Sequence, residues 1–189
     1  MASQHNLVWI DLEMTGLDVD ACTILEIATL VTDAQLNIIA EGPQLVIHHD
    51  DQVLDAMDEW NTRHHGESGL IDAVKRSTLT MAQAEKKTLA FIRQHCHRDT
   101  APLCGNSIWQ DRRFLGRYMP TLEDYLHYRV IDVSSIKEVV KRWYPDSYRN
   151  EKKQGTHRAL DDIRESIEEL KHYRSKVFVP PGGDAKNNN

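Results

Sequence analysis

Hydrophobic and polar positions divide the chain into a strand-rich opening and a helix-rich remainder. Leu7–Glu13, Ile24–Thr32 and Leu36–Ile47 are dense in Ile, Leu, Val and Thr, with Asp-Ala-Gln and Gly-Pro turn signals around them. Short links between consecutive strands predict an antiparallel meander. Helical patterns follow: a short one over Asp51–Trp60, a weaker one over Gly69–Arg76, and a longer one over Thr80–Cys96, where Thr80-x-x-Gln83 fits a capping box. Pro102–Cys104 reads as a short strand turned by Gly105-Asn106 and feeding a helix that begins near Asp111. Tyr128–Val133 is a further strand, and Ser134–Tyr144 a helix with Ser135-x-x-Glu138 as a second capping box. After a polar loop, a long amphipathic helix runs from about His157 to Lys176. This order predicts an α/β fold, a mixed five-stranded sheet packed by helices, in one domain over 1–176. The 177–189 tail, ending in PPGGDAKNNN, is expected to be disordered, since that composition buries little apolar surface.

Composition narrows the function. At 189 residues, 40% of them hydrophobic, the chain can bury one substantial core. No apolar run approaches the roughly 20 residues that cross a bilayer, so no membrane association is expected. MASQHN has neither a basic n-region nor an apolar h-region, which predicts a cytoplasmic protein. Cys22, Cys96 and Cys104 are widely spaced and form no CxxC pair, so they read as reduced thiols. Net charge is 23 − 29 = −6. Proteins that grip long nucleic acid by its phosphates are usually basic, so a nucleic-acid substrate here should be short or held at a small local site.

The candidate chemistry starts at WIDLEMTGLD, residues 9–18. Residues i and i+2 of a strand share a face, so Asp11 and Glu13 point the same way and Leu12 packs on the other side. Two carboxylates so placed repel each other unless a cation turns the repulsion into coordination. Further acids are available at Asp111, in GNSIWQDRRFL, and in GTHRALDDIRESIEEL. In the latter helix the apolar face is Ala159, Leu160, Ile163, Ile167 and Leu170. Asp162 lies roughly 105° from the centre of that face and Asp161 roughly 155°, so Asp162 borders the core and Asp161 faces water. His157 falls at the start of the same helix. Four carboxylates and one imidazole suit Mg²⁺ or Mn²⁺ rather than zinc. Such a set can hold two ions about 4 Å apart for phosphodiester hydrolysis, with the histidine accepting the water's proton.

DLEMTGL, GNSIWQDRRFL, YRVIDVSSIKE and QGTHRALDDIRESIEEL together resemble the oligoribonuclease family of DEDDh 3′–5′ exonucleases, in register from about residue 6 to 175. The resemblance implies a ribonuclease-H-like exonuclease fold, a homodimer, and degradation of very short RNA oligonucleotides, ending with dinucleotides, to 5′-mononucleotides. It makes Asp11, Glu13, Asp111 and Asp162 the ligands of two divalent ions and His157 the general base. Leu17 matches an apolar wedge against the bases, and Trp60 and His65 match positions lining the nucleotide pocket. Ser107 matches a residue near the substrate's 5′ end. Tyr128, Arg129, Ser134 and Ser135 match groups around the 5′ phosphate, the tyrosine and arginine reaching across from the other subunit. Trp109 stands where the resemblance implies a small residue, and its indole would either narrow the pocket or pack on the outer face.

Overall fold

The computed structural model describes residues 2–148 and 158–179. Strands β1 (Leu7–Met14), β2 (Ile24–Thr32), β3 (Ile38–Val46), β4 (Pro102–Gly105) and β5 (His127–Asp132) form one sheet in the order β3-β2-β1-β4-β5. The meander β1-β2-β3 is antiparallel, whereas β4 runs parallel to β1 and β5 parallel to β4. Helices α1 (Asp51–Asp55), α2 (Glu59–Glu67), α3 (Leu70–Arg76), α4 (Met81–His95), α5 (Ile108–Tyr118), α6 (Pro120–Glu123), α7 (Val133–Trp143) and α8 (Ala159–Val177), with a 3₁₀ turn at Pro145–Ser147, complete the described elements.

Alternation along β1 sorts the core into two layers. Val8, Ile10 and Leu12 pack with Ala84, Leu89 and Ile92 of α4 and Ile108, Phe114 and Leu115 of α5. Trp9, on the opposite face, packs with Ala28, Leu30 and the α8 residues Ala159, Ile163, Ile167 and Leu170. Covered on both faces, β1 and β2 read as nearly continuous apolar runs. Each fully buried aliphatic or aromatic side chain here contributes about 1.5–3 kcal/mol. A third, smaller cluster of Leu25, Leu54, Met57, Leu70 and Val74 seats α1 and α3 against β2.

Four local expectations need correction. The single helix over Asp51–Trp60 is broken in two, because the Asp58 carboxylate accepts from the Asn61 amide and caps a new helix, α2. The third strand starts two residues later than expected: Leu36 lies at φ 71 in the turn, buried but not paired in the sheet. α5 starts at Ile108, so Asp111 sits within its first turn rather than at its threshold. Ser135 does not cap α7. Asp132 does, accepting from the Ser134 amide at 3.0 Å and from the Ser135 hydroxyl at 2.8 Å, while Glu138 pairs with Arg142 instead. The Thr80–Gln83 capping box forms as expected, with both reciprocal bonds present. His157 and residues 180–189 of the tail lie outside the described residues.

Candidate active site

Asp11 and Glu13 continue the face of β1 that carries Trp9, beyond the point where Trp9 packs against α8. Because α8 lies on that same face and begins at Ala159, its first turn brings Asp162 to the end of β1. Asp11, Glu13 and Asp162 each offer a carboxylate oxygen, all within 4.8 Å of one another. Asp162 is half-buried and Asp161 exposed, in line with the helix phase. Three anions at this separation repel strongly, and an all-oxygen donor set matches hard divalent cations. These side chains therefore fit such an ion.

Asp111 approaches the pair differently. Its Oδ1 accepts from the amide of Leu12, the residue between Asp11 and Glu13, at 3.0 Å. Burial pushes its carboxyl up to about 7, outweighing the Leu12 hydrogen bond that favours the charged form. A cation beside Asp111 would reverse that balance and hold the group ionised.

The imidazole of His65, buried on α2, backs Glu13. Its Nε2 must donate to the Met14 carbonyl oxygen, 2.9 Å away, since a carbonyl only accepts. Nδ1 then faces Glu13 Oε2 at 3.8 Å and has no hydrogen-bond partner among the described residues. Burial lowers the pKa of this imidazole and favours its neutral form. Trp60, on the same helix, is exposed and stacks on His64, ring centroids 4.5 Å apart.

Leu17 projects from the turn that leaves β1 and is 71% exposed. The Thr15 amide donates to Thr23 O, and the Thr23 amide to Thr15 Oγ1, closing this turn at its base. A Cβ on Gly16 would come within 2.7 Å of Cys22 Sγ, so only glycine fits there without displacement. α5 holds the turn from one side. Gln110 donates to the Leu17 carbonyl and Tyr118 to the carbonyls of Cys22 and Val19.

Ser107, Ser134 and Ser135 gather around Asp132. The Ser107 amide donates both to Asp132 Oδ1 and to Ser134 Oγ, each at 2.9 Å, with Ser107 itself at φ 51. Ser134 Oγ donates to Asn106 Oδ1 at 3.0 Å. Asn106 Nδ2 donates in turn to Ser166 Oγ at 2.7 Å, and Ser166 back-bonds to the carbonyl of Asp162. One polar chain thus links the serine cluster to the helix that carries Asp162. Tyr128 and Arg129 stand together on the outer strand β5, with β4 between them and β1; both are exposed, and the guanidinium lies 5.2 Å from the tyrosine ring centroid.

Two residues absent from the candidate set, the buried Glu26 and the half-buried Arg158, matter here. Glu26, fully buried, pairs across the ladder with Glu13 and receives Arg158 Nη2 at 2.8 Å, Arg158 Nε at 3.3 Å and Gln44 Nε2 at 3.0 Å. Arg158 is the residue immediately before α8, so this ion pair ties the start of that helix to the strand beside β1. A glutamate inside ILEIATL was the available signal: an acid amid apolar neighbours requires a buried cation or hydrogen bonds.

The RNase_T family model, described as Exonuclease, matches residues 8–170. Among solved structures, the moderately thermophilic Exonuclease I from Methylocaldum szegediense superposes with a TM-score of 0.70 at 18% identity, covering 91% of this chain and 41% of that one. The zinc-bound E. coli ExoI–ssDNA complex gives 0.71 at 14% identity, covering 93% and 41%. The chain thus spans about two fifths of these longer proteins, and the likeness establishes the fold. Fold and site together define a nuclease of the ribonuclease-H-like exonuclease class. Within that class, the oligoribonuclease of Shewanella baltica (strain OS155) is 63% identical over 177 residues, covering 94% of this chain and 98% of the relative. That of Shewanella sp. (strain MR-4) is 60% identical over the same shares. The chain belongs to the oligoribonuclease family.

Proposed function

We propose that this protein is a cytoplasmic 3′–5′ exoribonuclease that hydrolyses very short RNA, dinucleotides above all, to 5′-mononucleotides. The observation that carries the reading is the convergence of Asp11, Glu13 and Asp162 within 4.8 Å at the end of β1, with Asp111 bonded to the backbone between the two strand acids. Asp11, Glu13 and Asp162 would hold one Mg²⁺ or Mn²⁺, and Asp11 with Asp111 a second. Bound there, the ions supply charge neutralisation for the phosphate and acidify the attacking water. His157 takes the water's proton as general base.

The remaining residues select the substrate. Leu17 is an exposed apolar side chain at the end of a braced turn, suited to wedging against a base. Trp60 presents an indole to solvent for stacking, and His65 fixes the floor beside Glu13. Ser107, Ser134 and Ser135 offer hydroxyls around the 5′ phosphate. Tyr128 and Arg129 serve the same phosphate from a second copy of the chain, a guanidinium being suited to bidentate phosphate binding. A wall at the 5′ end excludes longer RNA, in keeping with the net charge of −6, which disfavours a long phosphate track. The test is a time course on 5′-labelled RNAs of two to seven nucleotides with Mg²⁺ or Mn²⁺ varied. Mononucleotide release fastest from the dinucleotide supports the reading, and faster turnover of the longest RNA overturns the size preference.

A further inference from the structure

Trp109 belongs to a contact chain that ends at Leu17. Its indole is 56% exposed and underlies the guanidinium of Arg113, whose carbon is 5.9 Å from the ring centroid. Arg113 Nη1 donates to Gln110 Oε1 at 3.1 Å. Gln110, buried on α5, donates through Nε2 to the Leu17 carbonyl. The chemistry allows only one orientation of that amide. A guanidinium only donates and a peptide carbonyl only accepts, so the amide oxygen must face Arg113 and the amide nitrogen must face Leu17.

We infer that Gln110 is a positioning residue that sets the height of Leu17 over the substrate, with Arg113 and Trp109 fixing Gln110 in turn. The inference rests on the reading of Leu17 as the base wedge. An exposed leucine on a turn can resist a base only if its backbone is held, and the Gln110 bond acts on Leu17 itself. Tyr118 restrains the far arm of the turn at Val19 and Cys22, leaving Gln110 to brace the tip from α5. Trp109 needs no contact with RNA to matter: by covering one face of Arg113 it restricts the guanidinium and, through it, the amide.

Gln110→Glu is the discriminating variant. The carboxylate keeps its partner in Arg113 but turns lone pairs toward the Leu17 carbonyl, so only the inner link breaks. KM for a diribonucleotide should rise about tenfold, the equivalent of one hydrogen bond of about 1.4 kcal/mol, with a smaller change in kcat. Amide hydrogen exchange over residues 15–22 should quicken in the metal-free and metal-loaded protein alike. Gln110→Met, which removes the donor without adding charge, should behave the same way and serves if the glutamate variant folds poorly. Trp109→Ala should raise KM by about two- to threefold in the same direction. In the Leu17→Ala background, Gln110→Glu should add nothing further. Unchanged exchange, unchanged KM, or an effect that adds fully to Leu17→Ala overturns the inference. If Leu17→Ala raises KM while Gln110→Glu does not, only the positioning role fails; if Leu17→Ala leaves KM at the wild-type value, the wedge reading fails with it.

Discussion

Replacing Arg158 with methionine removes the cation that neutralises Glu26 while preserving much of the side-chain volume. The wild-type pair is a fork, Nη2 at 2.8 Å and Nε at 3.3 Å from the two carboxylate oxygens, and Glu26 has no exposed surface. After the substitution, among the described residues only the Gln44 amide still donates to that carboxylate from a side chain. Breaking one side of a buried pair destabilises by about 3–5 kcal/mol, because the remaining charge is desolvated without compensation. Arg158 is one-third exposed, so water can reach the vacated space, and the lower end, about 3 kcal/mol, is the working figure. For a chain of this size that lowers Tm by about 6–12 °C, readable by circular dichroism or calorimetry. Glu26→Leu added to Arg158→Met should recover most of the loss, since apolar replacement of a whole buried pair is often neutral. A single variant within 1 °C of wild type, or a double variant no more stable than the single, would refute the claim that this pair anchors α8.

Asp162→Asn should abolish hydrolysis while Tm holds or rises, because one of three clustered charges is gone; Asp161→Ala should turn over within about twofold of wild type, and equal loss in both would contradict the helix phase. Asn106→Leu, which severs Ser134 from Ser166, should unfold more easily by about 1–3 kcal/mol in urea titration, the cost of leaving buried polar partners unsatisfied. The thiols give a pH prediction. Burial pushes Cys96 up to about 11 and Cys104 higher still, so above pH 9 the unfolded chain ionises first and stability should fall progressively toward pH 11. At pH 8 a thiol reagent should modify half-buried Cys22 in the native protein and all three cysteines only after unfolding.

Much of the site was legible because it depends on local periodicity. Period two along LVWIDLE puts Asp11 and Glu13 with Trp9, and that face is the one α8 covers; period 3.6 along ALDDIRES separates Asp162 from Asp161. The corrections arise where a residue's partner is set by how the chain reverses. Ser135 reads as part of a capping box until Asp132, at the end of β5, proves able to reach both its hydroxyl and the Ser134 amide. Asp58 splits a helix that hydrophobic pattern alone would continue. Glu26 with Arg158, 132 residues apart, and Gln110 with Leu17, 93 apart, carry no mutual spacing signal at all.

The three acids that converge within 4.8 Å come from opposite ends of the chain, two from the first strand and one from α8. Translation therefore delivers Asp162 only after the five strands have been made. A nascent chain can build its sheet yet lack the third member of the carboxylate trio until α8 docks on Trp9. On the proposed reading, hydrolysis would have to wait for the close of folding, and a chain truncated before α8 should be inactive on RNA.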